Sequence, residues 1–346
     1  PCSSGIDSLT GVQYAQLNAG SSPSQHSTTL CYNLNTLPRP NSKLLSGLSS
    51  TPGVKGYLKV ARLPFLLLPV SLVVVGASAS AHSGEFDATN TSLALIGLVL
   101  LNASVNVINE YSDWKRGIDE ETDPTRFSGG SKAIVNSEIA PKKALAFGVV
   151  TLFVSFLIGL YFLYLYGAAM VPLILVGGVL VVGYTDFFAR LGLGEVSAGL
   201  GLGSLPVVGV GFVQSGTVAT AVLAASVPCF FMTFNLLLLN EFPDIEADKK
   251  GGRTNVIILA GERTAKHVYV AFCLLCGSAI AVFSLSGLFP LRSLLALGGF
   301  VFLYGPVMAC LKDEHITETV LSRNVGWIIV TNVLLGVSFV EPDWFV

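Results

Sequence analysis

From residue 63 onward the chain alternates between long apolar runs and short polar breaks. Nine runs approach the roughly 20 residues that a helix needs to cross a bilayer: 63–81, 91–109, 144–164, 168–187, 197–214, 218–240, 266–287, 291–311 and 324–340. None shows the two-residue alternation of a membrane barrel strand, whereas a helix satisfies its own backbone in lipid. The pattern predicts an all-α integral membrane protein with nine transmembrane helices. Residues 1–54 differ, being rich in Ser, Asn, Pro and Gly without a long apolar run. They are expected to be disordered and to hold no ordinary secretory signal, and their Ser-rich, acid-poor composition also suits an organelle transit peptide. The chain thus divides into an N-terminal segment, 1–54, and a membrane domain, 55–346.

Composition agrees with this division. Of the 346 residues 52% are hydrophobic and 12% charged, about half the charged share of a soluble domain. A net charge of −2 gives no ground for a nucleic-acid partner. The distribution of charge says more. If loops alternate between two sides, 19 of the 20 Lys and Arg residues fall on one of them and only Arg292 on the other. Basic residues stay on the cytoplasmic side, so the N-terminus is expected there and the C-terminus across the membrane. Four of the six cysteines, Cys229, Cys273, Cys276 and Cys310, sit inside apolar runs with no His cluster around them, and read as free packing thiols, the C-x-x-C of Cys273 and Cys276 included.

Two polar loops on the basic side break the apolar pattern. The connection after the second run contains NEYSDWKRGID, which places Asn109 and Asp113 one helical turn apart, with Asn106 and Glu110 beside them. Gly117 is suited to end that helix and let Asp119 turn back to the same face. After the sixth run NEFPDIEAD spaces Asn240, Asp244 and Asp248 four residues apart. Carboxylates gathered where apolar helices end face a cavity in preference to lipid. Hard oxygen ligands of this kind suit Mg²⁺, which binds through a few carboxylates together with substrate phosphate oxygens. Lys132, Lys249, Lys250 and Arg253 follow the two clusters and suit the remaining phosphate charge. The bias of basic residues toward one side accounts for Lys142, Lys143 and Arg263 without any ligand. One N-x-x-x-D motif alone would be an ordinary helix end; two, at the ends of runs two and six, point to one site for a Mg²⁺-bound diphosphate.

Across residues 55–340 the chain resembles the UbiA superfamily of intramembrane prenyltransferases, whose nine helices carry Asp-rich motifs in the 2–3 and 6–7 loops. The G-x-D ending of the first motif, the SGGSKAIV that follows and the GLGE at residues 192–195 resemble the branch that prenylates 1,4-dihydroxy-2-naphthoate on the menaquinone pathway. The resemblance implies Asp113, Asp119, Asp244 and Asp248 as catalytic residues, with Asn109 and Asn240 completing the Mg²⁺ ligands. It extends the substrate contacts to Arg62, Asn106, Glu110, Lys132, Tyr184, Glu195, Lys249 and Arg253. Tyr184 matches a common family position and Glu195 would orient the acceptor, while Asp186 has no family role. Glu110 stands where Asp is usual, and its extra methylene would shift a metal ligand or leave it behind the metal. The implied partners are a polyprenyl diphosphate, an aromatic acceptor and the lipid bilayer of a bacterial, archaeal or organelle membrane. Other aromatic acceptors, 4-hydroxybenzoate or homogentisate, remain open. So does a cation-coupled transporter, although transporter sites lie near the bilayer midplane. The D-G-x-x-A-R signature of transferases acting on CDP-linked alcohols is absent.

Overall fold

A computed structural model describes residues 4–6, 13–15, 53–117, 119, 130–183 and 187–340, without the side chains of the first two stretches or of residues 181, 182 and 189. In the N-terminal unit two strands, β1 (Ser4–Ile6) and β2 (Gln13–Ala15), pair antiparallel with Ser4 opposite Ala15. The expectation for residues 1–54 otherwise lies almost wholly outside the described residues. The second unit, Thr51–Val346, is helical throughout its described part.

That unit begins with a short helix, α1 (Val54–Val60), and a 3₁₀ turn, Leu63–Leu66, that leads into α2 (Leu67–His82). The next long helices are α3 (Ala88–Arg116) and α4 (Pro141–Tyr166), and α5 (Val171–Gly183) follows a 3₁₀ turn at Gly167–Met170. After the short α6 (Ala189–Leu191) come α7 (Gly194–Ala198), a π segment (Gly199–Ser204) and α8 (Leu205–Ser215), which together form one span. Then come α9 (Thr220–Asn240), two short helices, α10 (Ile245–Lys250) and α11 (Val256–Ala260), and the long α12 (Glu262–Leu285). A 3₁₀ run (Leu291–Leu303) continuing into α13 (Tyr304–Leu311), and α14 (Glu318–Phe339), close the bundle.

Eight described helical runs are long and apolar enough to cross a membrane, against the nine read from the sequence. The difference is one run, Pro141–Leu180, in which the third and fourth expected spans are joined. Forty residues of straight helix would reach about 60 Å, twice the hydrocarbon thickness. The run is interrupted at Gly167, whose φ of +59° is open to glycine at little cost. Beyond it the chain doubles back along the 199–215 segment: Met170 clusters with Phe212, Gly177 meets Leu205, and Gly201 meets Leu180.

Close packing against α9 depends on glycine. A Cβ on Gly203 would stand 2.6 Å from the Cys229 carbonyl oxygen, and one on Gly199 would stand 2.7 Å from the Phe230 ring. Polar ties add direction to this packing. Tyr269 donates its hydroxyl to Asn324 (2.9 Å), Asn324 donates to the Asn235 carbonyl (3.2 Å), and Asn235 donates to the Tyr269 carbonyl (2.9 Å). These fully buried side chains fix α9, α12 and α14 to one another, and each such bond in a membrane bundle contributes on the order of 0.6 kcal/mol. Cys229, Cys273, Cys276 and Cys310 are buried free thiols, as their setting in the sequence predicts.

The two ends of the bundle are built differently. At the end formed by the C-termini of α2, α4 and α8, connections are short and cross-braced. The Asp87 amide and Thr91 hydroxyl donate to Gln214 (2.8 and 3.2 Å), and Asn90 donates to the Tyr166 hydroxyl and the Val213 carbonyl (3.1 and 2.9 Å). Tyr166 in turn donates to Val213 (2.7 Å). The opposite end carries the two polar loops and a cavity.

Candidate active site

A cavity of about 200 Å³ opens where α3 and α9 end, and both motifs line it. Helix α3 stops at Gly117, whose φ of +78° turns the chain while its amide bonds the Asp113 and Trp114 carbonyls. Asp119 is thereby buried against the cavity wall, as the glycine predicts. Gly130, at φ +72°, makes room for it, since a Cβ there would meet Asp119 Oδ1 at 2.7 Å. Gly130→Ala is therefore expected to cost at least 1–2 kcal/mol from backbone strain alone, measured as a lower Tm of the detergent-solubilised protein.

Glu110 holds the other side of this loop. Its carboxylate accepts the Ser131 amide (3.0 Å), the Ser131 hydroxyl and the Ala133 amide (3.1 Å). The longer side chain noted in the sequence is thus spent on clamping the 130–133 turn. Asn106 donates to the Ala61 carbonyl (3.0 Å) and to Asn102 (3.2 Å), which ties the entry of α2 to α3. That entry contains Arg62 in a left-handed conformation, with its guanidinium 5.3 Å above the Phe65 ring.

From the other motif, Asn240 ends α9, Asp244 precedes α10, and Asp248 is buried on α10. Arg253 joins the two halves of the site. Its Nη2 is ion-paired with Asp113 of the first motif, and its Nη1 lies 3.5 Å from Asp248 of the second. Asn255 donates to Asp248 as well (3.2 Å).

Burial pushes the Asp119 carboxyl up to about 7, helped by the neighbouring Asp113 and Glu110 charges. Burial likewise raises Asp248 to about 6 against the pull of Arg253, and holds Glu241 well above the ordinary range, with Glu195 beside it adding to the effect. So much acid packed in one desolvated place favours protons or a cation. Buried acceptor oxygens of Asp119, Asn240 and Glu241 have no hydrogen-bond partner among the described residues, and all three residues line the cavity. Such oxygens fit a hard divalent cation. Among the described residues no three His, Cys, Asp or Glu side chains already form a closed cage, and Mg²⁺ needs none where phosphates and waters complete its shell.

Ten residues singled out in the sequence line this cavity: Arg62, Asn106, Asn109, Glu110, Asp113, Asp119, Asn240, Asp244, Asp248 and Arg253. Four others do not: Lys132, Glu195, Lys249 and Lys250, the last of which is exposed. Lys249 is exposed and paired with Glu246 (3.1 Å), because successive helical positions point about 100° apart and Asp248 takes the inward one. Lys132, half-buried at φ +53°, lies off the wall. Glu195 is fully buried behind it, neither solvated nor facing the cavity, and accepts the Val256 amide at 2.6 Å. Tyr184 and Asp186 lie outside the described residues. Cavity residues that the sequence reading missed are Asn102, Thr233, Glu241, Thr254 and Asn255. For Glu241 a signal existed, since both motifs begin N-E-x-x-D and Glu110 was already in view.

The model of the UbiA prenyltransferase family matches residues 68–319 of the chain. Among characterised relatives, the 1,4-dihydroxy-2-naphthoate octaprenyltransferase of Escherichia coli is 25% identical over 304 residues, 84% of this chain and 96% of that one. The fold is similar to that of a UbiA homolog from Aeropyrum pernix, with a TM-score of 0.62, 16% identity, and 80% of this chain and 98% of that one covered. It is also similar to a UbiA homolog from Archaeoglobus fulgidus bound to GPP and Mg²⁺, with a TM-score of 0.57, 16% identity, and 82% and 99% covered.

Proposed function

Because this chain belongs to the UbiA prenyltransferase family, we propose that it transfers a polyprenyl chain from a Mg²⁺-bound polyprenyl diphosphate to 1,4-dihydroxy-2-naphthoate. The observation that carries the site is the convergence of both N-E-x-x-D motifs on one cavity, joined by Arg253. The name of the Escherichia coli relative supports the acceptor, and the GPP and Mg²⁺ of the archaeal homolog support the donor and the metal. We count the Gly167-broken run as two crossings, which makes nine, and place the cavity and the N-terminus on the cytoplasmic side, where the basic residues gather.

In this reading Asn109, Asp113, Asp119, Asn240, Asp244 and Asp248 hold Mg²⁺, which supplies positive charge against the departing diphosphate. Arg253 exchanges part of its carboxylate contact for phosphate oxygens, and Arg62 adds a second cation at the same mouth. Glu110 keeps the 130–133 turn closed over the phosphates. The isoprenoid lies along the apolar part of the wall, formed by Phe65, Leu68, Leu202, Leu236 and Leu237. The C–O bond breaks with both electrons passing to the diphosphate, and an electron-rich ring carbon of the acceptor attacks the allylic cation. With 1,4-dihydroxy-2-naphthoate the acceptor carboxylate leaves as CO₂.

The test is incubation of the purified protein in liposomes with Mg²⁺, prenyl diphosphates of several lengths and a panel of acceptors, with products read by mass spectrometry. A prenylated, decarboxylated naphthoquinol is expected. Product from 4-hydroxybenzoate or homogentisate alone would reassign the acceptor, and ion-coupled solute uptake without pyrophosphate release would overturn the enzyme reading.

A further inference from the structure

The turn that carries Arg253 is held from behind. Residues Gly251 to Asn255 join α10 to α11, and without support such a turn would leave a long cationic side chain free to swing. On the cavity side the Arg253 amide bonds the Asp248 carbonyl (2.9 Å). Asn255 caps α11 through the Ile258 amide (2.9 Å) while its amide group reaches Asp248 (3.2 Å). On the opposite side stands the segment between α6 and α7. Gly192, at φ +72°, lies so close that a Cβ on it would meet Leu259 at 2.4 Å and Thr254 at 3.5 Å. From the first turn of α7, just beyond that segment, Glu195, with no exposed surface, accepts the Val256 amide at 2.6 Å. Val256 is the first residue of α11, so this amide has no partner within its own helix.

We infer that Glu195 is a positioning residue: it touches neither substrate nor metal, but pins the 254–256 turn so that Arg253 spans Asp113 and Asp248. Two independent contacts, the Gly192 approach and the Glu195 bond, put the same two segments together. A carboxylate suits the task because it accepts the otherwise unmet amide strongly in a buried place. The inference rests on the prenyl-transfer reading for its readout only, since the strut itself is a matter of geometry.

The test compares Glu195→Ala, Glu195→Gln and Val256→Pro in the full-length protein, with KM for prenyl diphosphate and kcat measured separately. Loss of a buried charge-assisted bond predicts about a tenfold or greater rise in KM for Glu195→Ala. Glu195→Gln keeps an acceptor oxygen for the Val256 amide and should stay within about threefold of the wild type. Val256→Pro removes the donor and leaves Glu195 in place. Proline is tolerated at a first helical position, and Asn255 at φ −138° and ψ 175° already has the extended backbone that precedes one. It should therefore fold and raise KM as Glu195→Ala does. In an Arg253→Gln background, Glu195→Ala should add little, because the two act in series. Equal impairment of Glu195→Gln and Glu195→Ala would show that the acid itself is needed. Unchanged KM in Glu195→Ala, or additive losses with Arg253→Gln, would equally overturn the strut. If the wild type binds no prenyl diphosphate, it is the enzyme reading that fails; the strut then stands or falls on whether the Val256 amide loses its protection from hydrogen exchange in Glu195→Ala.

Discussion

Asp113→Ala and Asp244→Ala are each expected to lower Mg²⁺-dependent transfer by roughly a hundredfold to a thousandfold, the scale seen when one preorganised charge-stabilising group is removed from a reacting site. The protein should still fold, since the Tyr269–Asn324–Asn235 ties that fix α9, α12 and α14 to one another remain. Asp113 is the stricter case. It is the first-motif end of the Arg253 bridge, so its loss removes a proposed metal ligand and also frees Arg253 to collapse onto Asp248. Raising the Mg²⁺ concentration should recover part of the activity of Asp244→Ala and less of that of Asp113→Ala. Wild-type turnover in either variant, measured as pyrophosphate release in liposomes, would remove both clusters from the chemistry.

Gly203→Val is expected to give the largest loss of stability. A Cβ at this position would stand 2.6 Å from a backbone carbonyl, and 2.9 Å from the Thr233 hydroxyl, so a flexible side chain cannot absorb the clash. The π segment and α9 would have to separate by several tenths of an ångström or more. Overpacking of this kind costs about 1–3 kcal/mol and sometimes more. It would also move Leu202 and Thr233, which line the cavity from either side of the seam. A fall in Tm together with a larger loss of activity than of folded protein is the expected result. A variant with wild-type Tm would show that the two helices are not held at this spacing.

The spans and the two acid motifs were legible in the sequence because each depends on local pattern: length of apolar run, four-residue spacing, and a glycine that stops a helix. Asp119 illustrates how far this reaches, since Gly117 alone predicted its return to the cavity. What could not be read was decided by neighbours distant in the chain. Glu195 looks like a loop acid until α11 is seen to present an unmet amide to it. Lys249 looks like a phosphate ligand until the rotation of α10 sends it outward to Glu246 while Asp248 points in. Composition separates the third and fourth expected spans, whereas the structure links them through a 3₁₀ turn at Gly167–Met170 into one run, Pro141–Leu180. Asn102 and Thr233 gave no signal, as single polar residues in apolar helices acquire a role only from what faces them.

The bracing at the far end of the bundle bears on how such a molecule can work through a cycle. Asp87, Asn90, Thr91, Tyr166 and Gln214 knit α3, α4 and α8 together there, like the bound edge of a book. The other edge, where the acid motifs sit at helix ends, is tied instead through the Glu110 clamp and the Arg253 bridge. Tilting of whole helices about that stitched spine would then bring its largest displacements to the residues that line the cavity.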